Sequence, residues 1–383
     1  MLRRRLFTSE HDIFRESVRR FIAEEILPHH EAWQKDGITP RSLWLKAGEA
    51  GLLCPMAPAS HGGCGLDFLF SAVVIEELAR ANVPDIAFYT HSDIAAPYIW
   101  DFGSEALKAK WLPSVIAGRC IVSLAMSEPD AGSDVASIKT SAVRDGDDYV
   151  INGSKVFITN GHNADLFVVA CKTDPHARGR GISMILVEAD RAGFRKGRLL
   201  EKVGLKAQDT AEIFFDDVRV PITNLVGIES AGFQQMMRCL PQERLVQAVR
   251  AVTAAESALE MTIAYTTERK AFGKSVSEFQ AIQFRFAELF ADIAGQRALV
   301  DRCMEALVAG ELDDFDAAVV KLSSTEMQAR VIDECVTCFG GWGFIWEYPI
   351  ARAYADARAA RLAGGTTDIM KLIIGRRLTS AGR

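Results

Sequence analysis

Tyr149-Val150-Ile151-Asn152-Gly153-Ser154-Lys155-Val156-Phe157-Ile158-Thr159 decides how this chain divides. Apolar, β-branched runs flank Asn-Gly, the dipeptide that favours the type I′ turn whose twist matches paired strands. The stretch reads as a β-hairpin. Outward from it, Ile121 to Met126 is a short apolar run, and Leu166 to Ala170, Ile182 to Val187 and Glu212 to Phe215 carry further strand patterns. The middle third is therefore expected to be β-rich, built as a sandwich or barrel.

On both sides the period changes to that of helices. Ile13, Phe14, Val18, Phe21, Ile22 and Ile26 form an apolar stripe that ends before Pro28. Shorter helices are expected over Leu43 to Gly51 and Phe68 to Ala81, with a flexible Gly-rich loop, Ser60 to Gly65, between them. Ser104 suits the N-cap of a helix from Glu105 to Ala117, and Gly118 its stop. From Gly232 the helical period returns, with candidates at 241–269, 277–309, 316–339, 349–361 and 366–378. Ser277-Glu278-Phe279-Gln280 has the form of a capping box, and Pro349 suits a first helical position. Long helices with short connections make an antiparallel four-helix bundle the default. The expectation is an α+β multidomain chain: helices over 1–119, a β domain over 120–230, a helical bundle over 231–383. Strands and helices do not alternate as in a doubly wound sheet.

The totals exclude several classes. A formal net charge of −6 over 383 residues argues against a general nucleic-acid binder. No apolar run is long enough to span a bilayer, so no membrane insertion is expected. The basic start, Met1 to Phe7, lacks the apolar core of a secretory signal; it reads as a solvated terminus or the remnant of a transit peptide. Eight dispersed cysteines suggest reduced thiols, in a bacterial cytoplasm or a mitochondrial matrix. Cys335 and Cys338 form one C-x-x-C inside a helical run, and no second pair exists to complete a zinc site. There is no Walker A loop, G-x-G-x-x-G, H-E-x-x-H or G-x-S-x-G.

Chemistry is sought first in Leu240-Pro241-Gln242-Glu243-Arg244. Pro241 suits a helix N-terminus, and Leu245, Val246, Val249 and Val252 follow at helical spacing, which puts Glu243 in the first turn. Glu243 there either complements the helix dipole or serves as a general base in a cleft. Four other segments offer groups for an anion or a flat ring. Ala125-Met126-Ser127-Glu128-Pro129-Asp130-Ala131-Gly132-Ser133-Asp134 is a strand exit rich in small residues, or else an acidic turn. Arg269-Lys270-Ala271-Phe272-Gly273-Lys274 brings cations to a helix end, for a pyrophosphate or only for the dipole. Phe339-Gly340-Gly341-Trp342-Gly343 offers backbone N–H groups, or a helix C-cap. Ala363-Gly364-Gly365-Thr366-Thr367-Asp368 opens the last helix in a form that favours negative charge.

In this order and spacing the segments resemble the acyl-CoA dehydrogenases, from Ser9-Glu10-His11-Asp12 to Ile374-Gly375-Arg376. Leu240 to Arg244, and Gly341 to Phe344 with Trp346-Glu347-Tyr348-Pro349, resemble the long-chain branch of that family. The resemblance implies three domains with FAD between the β domain and the bundle, and α,β-dehydrogenation of an acyl-CoA thioester. It implies that Leu124, Ala125, Met126, Ser127, Gly132 and Ser133, with Phe157, Ile158 and Thr159, line the flavin, Ser133 lying also near substrate. Arg269, Phe272, Gln280 and the run Thr337-Cys338-Phe339-Gly340-Gly341 would hold the ADP part across a subunit interface, in a homotetramer. Thr366, Thr367 and Asp368 would also touch FAD. Gln234, Pro241, Gln242, Arg244, Gly364 and Gly365 would border the substrate.

Many family members carry the catalytic glutamate at the position of Gly364. The isovaleryl and long-chain branches carry it at the position of Glu243. A missing carboxylate at 364 and a present one at 243 are complementary, so the resemblance makes Glu243 the base. In the free enzyme the helix N-terminus should lower its pKa, and bound substrate should raise it. Electron-transferring flavoprotein is the expected acceptor. The rivals are an acyl-CoA oxidase, a dehydrogenase of carrier-bound or branched acyl groups, and a non-catalytic acyl-CoA binder.

Overall fold

The computed structural model describes residues 4–380; Met1, Leu2 and Arg3 of the basic start lie outside them. Helices come first: α1 (Ser9–Phe21), α2 (His30–Asp36), α3 (Arg41–Glu49), α4 (Phe68–Arg80), α5 (Ala96–Phe102) and α6 (Glu105–Ile116). The strands β1 (Val122–Ala125), β2 (Ser141–Asp145), β3 (Asp148–Thr159), β4 (Leu166–Lys172), β5 (Ile182–Glu188), β6 (Phe194–Leu199), β7 (Thr210–Pro221) and β8 (Leu225–Val226) follow. Then come α7 (Gly232–Glu268), a ribbon of β9 (Lys270–Ala271) and β10 (Lys274–Ser275), and α8 (Gln280–Val308), α9 (Asp314–Phe339), α10 (Pro349–Ala360) and α11 (Thr367–Ser380).

The expected hairpin is one strand. β3 runs unbroken through Asn152-Gly153, and the turn lies earlier, where Asp145 pairs with Asp148 and Gly146 takes φ +63°. Gly153 serves a close approach instead: a Cβ there would come within 2.7 Å of the Thr140 Cα. The register with β7 jumps between Ile151 and Gly153, so the dipeptide marks a bulge. Asn152 turns its amide to β7, where Nδ2 donates to Asp217 Oδ1 and Oδ1 accepts the Asp217 N–H, both at 2.9 Å.

The strands form one path, β6-β7-β3-β2-β4-β5-β8, with β1 parallel on β4. β2 and β4 meet only at Ser141 and Lys172, so the sheet folds there into two halves. Phe194 of β6 lies 5.0 Å from the ring of Phe167 on β4 and 5.5 Å from Phe215 on β7, closing an apolar core between the halves.

In the C-terminal part α7, α8 and α9 pack on one another, α10 fills against α7 and α9, and α11 lies on α9. Leu245, Val246, Val249 and Val252 are fully buried in this core, as their spacing predicts. Pro241 is not at a helix start. α7 begins at Gly232 and carries Pro241 inside it. The hydrogen bond that proline forfeits belongs to the Met237 carbonyl, on a residue 37% exposed, where water reaches. The capping box also differs: the Ser275 N–H donates to Glu278 Oε1 at 2.8 Å, ahead of a 3-10 turn, and α8 opens at Gln280.

α4 is apolar on every side and accordingly buried, packed on α1, α7 and α8. Its two carboxylates, Glu76 and Glu77, are met by arginines: Glu76 by Arg4, Arg15 and Arg297, Glu77 by Arg15 and Arg19.

Candidate active site

Glu243 lies about three turns into α7, not in its first turn. The field of the helix start has faded there. The side chain is 5% exposed and its Oε1 has no hydrogen-bond partner. Burial raises the carboxyl to about 7, against a partial pull from Arg244 and the Tyr98 hydroxyl. The lowered pKa expected of a first-turn glutamate is thus reversed, because desolvation outweighs everything else at this depth.

Arg244 does not neutralise its neighbour. Its Nη1 pairs with Asp314, and its Nε donates to the Gly364 carbonyl at 3.4 Å. Lys321, fully buried, donates to the Gly365 carbonyl at 2.7 Å. Two cations therefore hold the 363–366 loop by its carbonyls: Arg244 ties it to the stretch of α7 that carries Glu243, and Lys321 ties it to α9. Gly364 takes φ +67°, and a Cβ on it would stand 3.7 Å from Gln247 Cγ and 3.9 Å from Arg244 Cγ. A side chain at 364 and the side chain at 243 thus start from the same neighbourhood.

Pro241 and Gln242 line a cavity of about 340 Å³ on the same turn, with Asp93, Pro97, Cys239 and Leu312 among its walls. Gln242 Nε2 donates to the Asp93 carbonyl at 2.8 Å. Gln234, nine residues before Glu243, is exposed and about 13 Å away along the helix.

The segments expected to hold FAD form two separate sets. In the first, β1 delivers Leu124 and Ala125 and the chain leaves as a loop alongside β3. Val156 N–H donates to the Ser127 carbonyl at 2.9 Å. Lys155, with no exposed surface, donates to the Met126 carbonyl at 2.9 Å and to Glu128 Oε1 at 2.8 Å. Glu128 in turn accepts from the Lys139 and Thr140 N–H groups. The loop's tip, Gly132 and Ser133, is exposed, and a Cβ on Gly132 would meet nothing. Beside the loop Phe157 takes φ +61° at a break in the β3–β7 pairing, and its ring is 68% exposed. Ile158 next to it is buried, and Thr159 Oγ1 accepts from Gln208 Nε2 at 3.2 Å. A bare ring in a strained backbone, next to the strand residues that hold this small-residue loop, is a fit seat for a flat heterocycle.

In the second set, Arg269, Thr337, Cys338, Phe339, Gly340 and Gly341 share a cavity of about 710 Å³. The two glycines leave open space at their Cβ positions, so backbone N–H groups and the Arg269 guanidinium can approach a pyrophosphate. Phe272 and Gln280 are exposed and stand outside this lining. No residue of the 124–133 loop or of β3 lines the cavity either. Thr366 and Thr367 open α11: Thr366 Oγ1 accepts the Ile369 N–H at 3.4 Å, while the Thr367 hydroxyl is engaged by Glu326 at 2.7 Å. Asp368 is exposed.

Three residues of this region carry no signal in the sequence. Tyr98 and Asp93 sit in a run, 86–100, that is buried on almost every side, so it shows no amphipathic period. A π-helical turn over Thr90–Ala95 and Pro97 at the start of α5 shape it. Lys155 looks like an ordinary polar position of an alternating strand. Buried and paired in the structure, it pins the loop.

Sequence comparison covers the same ground. Family models described as the acyl-CoA dehydrogenase N-terminal, middle and C-terminal domains match residues 8–119, 123–218 and 230–379. The chain is 49% identical over 379 residues to the long-chain specific acyl-CoA dehydrogenase, mitochondrial, of Mus musculus, covering 98% of this chain and 88% of that one. It is 35% identical to the isovaleryl-CoA dehydrogenase of Oryza sativa subsp. japonica, covering 97% and 92%. The crystal structure of an acyl-CoA dehydrogenase from Geobacillus kaustophilus superposes with a TM-score of 0.96 at 48% identity, covering 98% of this chain and 100% of that one. The chain belongs to the acyl-CoA dehydrogenase family.

Proposed function

We propose that this chain uses Glu243 as the α-proton-abstracting base in the FAD-dependent dehydrogenation of an acyl-CoA thioester to trans-2-enoyl-CoA. One observation carries the proposal: a sealed carboxyl with a free oxygen, titrating near 7, on the turn of α7 that faces the 363–366 loop. A base poised near neutrality combines a useful ionised fraction with real proton affinity. Bound FAD supplies the hydride acceptor for the β-carbon.

The chain's own groups do the rest. Glu243 Oε1 takes the α-proton into a region from which water is excluded. The backbone N–H of Gly364 is the candidate donor to the thioester carbonyl, where negative charge grows. Arg244 and Lys321 hold that loop by its carbonyls. The glycine keeps the donor while leaving the space that a second carboxylate would fill. The 124–133 loop and Phe157 would seat the ring, and Arg269 with Gly340 and Gly341 the pyrophosphate.

The substrate class we assign is a medium to long acyl chain, supported by the identity to the Mus musculus long-chain enzyme. Three divisions, 1–119, 120–230 and 231–383, are supported by the element order. A homotetramer is supported by the separation of the two FAD-binding sets, which one copy does not bring to one cavity. Exposed Phe272 and Phe344, at 96% and 90%, also call for cover. Electron-transferring flavoprotein as acceptor and a bacterial cytoplasm complete the reading; the Geobacillus kaustophilus relative supports the latter.

The test is Glu243→Gln. FAD should stay bound, and anaerobic bleaching by a long-chain acyl-CoA should all but vanish. Bleaching at a near-normal rate would remove the base from the mechanism.

A further inference from the structure

Glu243 Oε1 is not the only buried polar atom without a partner at this site. The hydroxyl of Tyr98 is another. Tyr98 sits in α5 with no exposed surface, among Ala95, Ile99 and Trp100, which are also buried. Its hydroxyl lies against the Glu243 carboxyl and the Cys239 thiol. Those two residues are four apart on α7, so they share the face turned to α5. A phenylalanine would fill the same space without burying an unmatched donor. The hydroxyl is therefore not explained by packing, and the one anion it faces is the carboxylate.

We propose that Tyr98 is a positioning residue for Glu243: its hydroxyl donates to one oxygen of the ionised carboxylate and so turns the other toward the substrate's α-carbon. This rests on Glu243 being the base. No proton changes owner at Tyr98. The phenol keeps its hydrogen, and once the other oxygen of Glu243 has taken the α-proton the phenol still donates to the carbonyl oxygen of the new acid.

The surroundings allow a clean sign. The titratable groups facing Glu243 are Arg244 on its own helix, turned to Asp314 and the Gly364 carbonyl, and Tyr98 on α5. Cys239, facing both Tyr98 and Glu243, is held neutral by burial, with Asp101 and Arg238 beyond it. Lys321 on α9 acts on Arg244, not on the carboxyl. A donor to the carboxylate favours its ionised form, so removing the donor must make the base harder to ionise.

The experiment is the pH dependence of anaerobic flavin reduction at saturating acyl-CoA, in the FAD-loaded protein. In Tyr98→Phe the acidic limb should move up by about one pH unit. The loss should be several-fold near pH 6.5 and shrink above pH 8, with KM within about two-fold. Difluorotyrosine placed at 98 is a stronger donor of the same shape and should move the limb downward; it also serves if Tyr98→Phe fails to fold. A limb that stays put in both variants, or moves the same way in both, overturns the positioning role. Glu243→Gln run alongside separates the two ideas. If that variant bleaches normally, the base itself is wrong; if it is dead while the limb ignores position 98, only Tyr98 is.

Discussion

Glu76 on α4 and Glu243 on α7 are both sealed glutamates, 2% and 5% exposed, and desolvation penalises the charged form of each. Their protons nevertheless go opposite ways. At Glu76 the penalty is outweighed by Arg297, Arg4 and Arg15, from three parts of the chain, and the carboxyl falls to about 2. At Glu243 the adjacent guanidinium is committed elsewhere, and the carboxyl rises to about 7. A buried charge with all its partners is a joint between helices. At Glu243, on the proposed reading, a buried carboxyl left without one is a reagent. Lys155 and Glu128 are of the first kind, although they border the candidate flavin loop.

The largest effect belongs to Glu243→Gln: about 10⁴-fold in the rate of flavin reduction, the upper range for loss of a general base. Adding Gly364→Glu should recover part of that rate, ten-fold or more, since a side chain there starts beside the same turn of α7. Its positive φ should cost about 1 kcal/mol of stability. No recovery, with FAD bound, would mean that the two positions do not serve one spot.

Next comes Arg297→Met, which strips Glu76 and Glu256 of their shared cation. It should destabilise by about 3–5 kcal/mol in urea unfolding, yet leave flavin reduction at low temperature within two-fold. Activity lost without stability would contradict the division between joint and reagent.

The pH dependences should have opposite signs. Glu76 is depressed from 4.5 to about 2, so its contribution, roughly 3 kcal/mol, is present above pH 4.5 and disappears as pH falls toward 2. Glu243 is raised from 4.5 to about 7, so its effect is most favourable below 4.5 and is lost as pH rises toward 7. Glu243→Gln should therefore gain stability over wild type progressively between pH 4.5 and 7, by up to about 3 kcal/mol. Unfolding midpoints across that range test both signs.

The smallest effect concerns the loop. Lys155→Met should weaken FAD binding about ten-fold in reconstitution of the apoprotein, because Glu128 loses its buried cation and the Met126 carbonyl its donor. Unchanged FAD affinity would make the pair a joint of the sheet alone.

The order of helices, strands and helices was legible because periodicity is read over long windows. Leu245, Val246, Val249 and Val252 point inward as their spacing requires. Local signals fared worse where tertiary contact gave a residue another task. Asn152-Gly153 marks a bulge against Thr140, and Pro241 rides inside a helix whose forfeited bond faces water. The position of Glu243 in the chain was legible by resemblance, but its protonation was not. That depends on how deep α7 carries it and on where Arg244 points, which no single stretch encodes. Tyr98 was invisible for the same reason.

The most direct measurement is an infrared titration of the free, FAD-loaded protein, comparing wild type with Glu243→Gln to isolate one carboxyl. A protonated carboxyl band that disappears with a midpoint near pH 7, and is missing from the variant, is the predicted result. A midpoint near 4.5 would show an ordinary solvated glutamate and contradict the account.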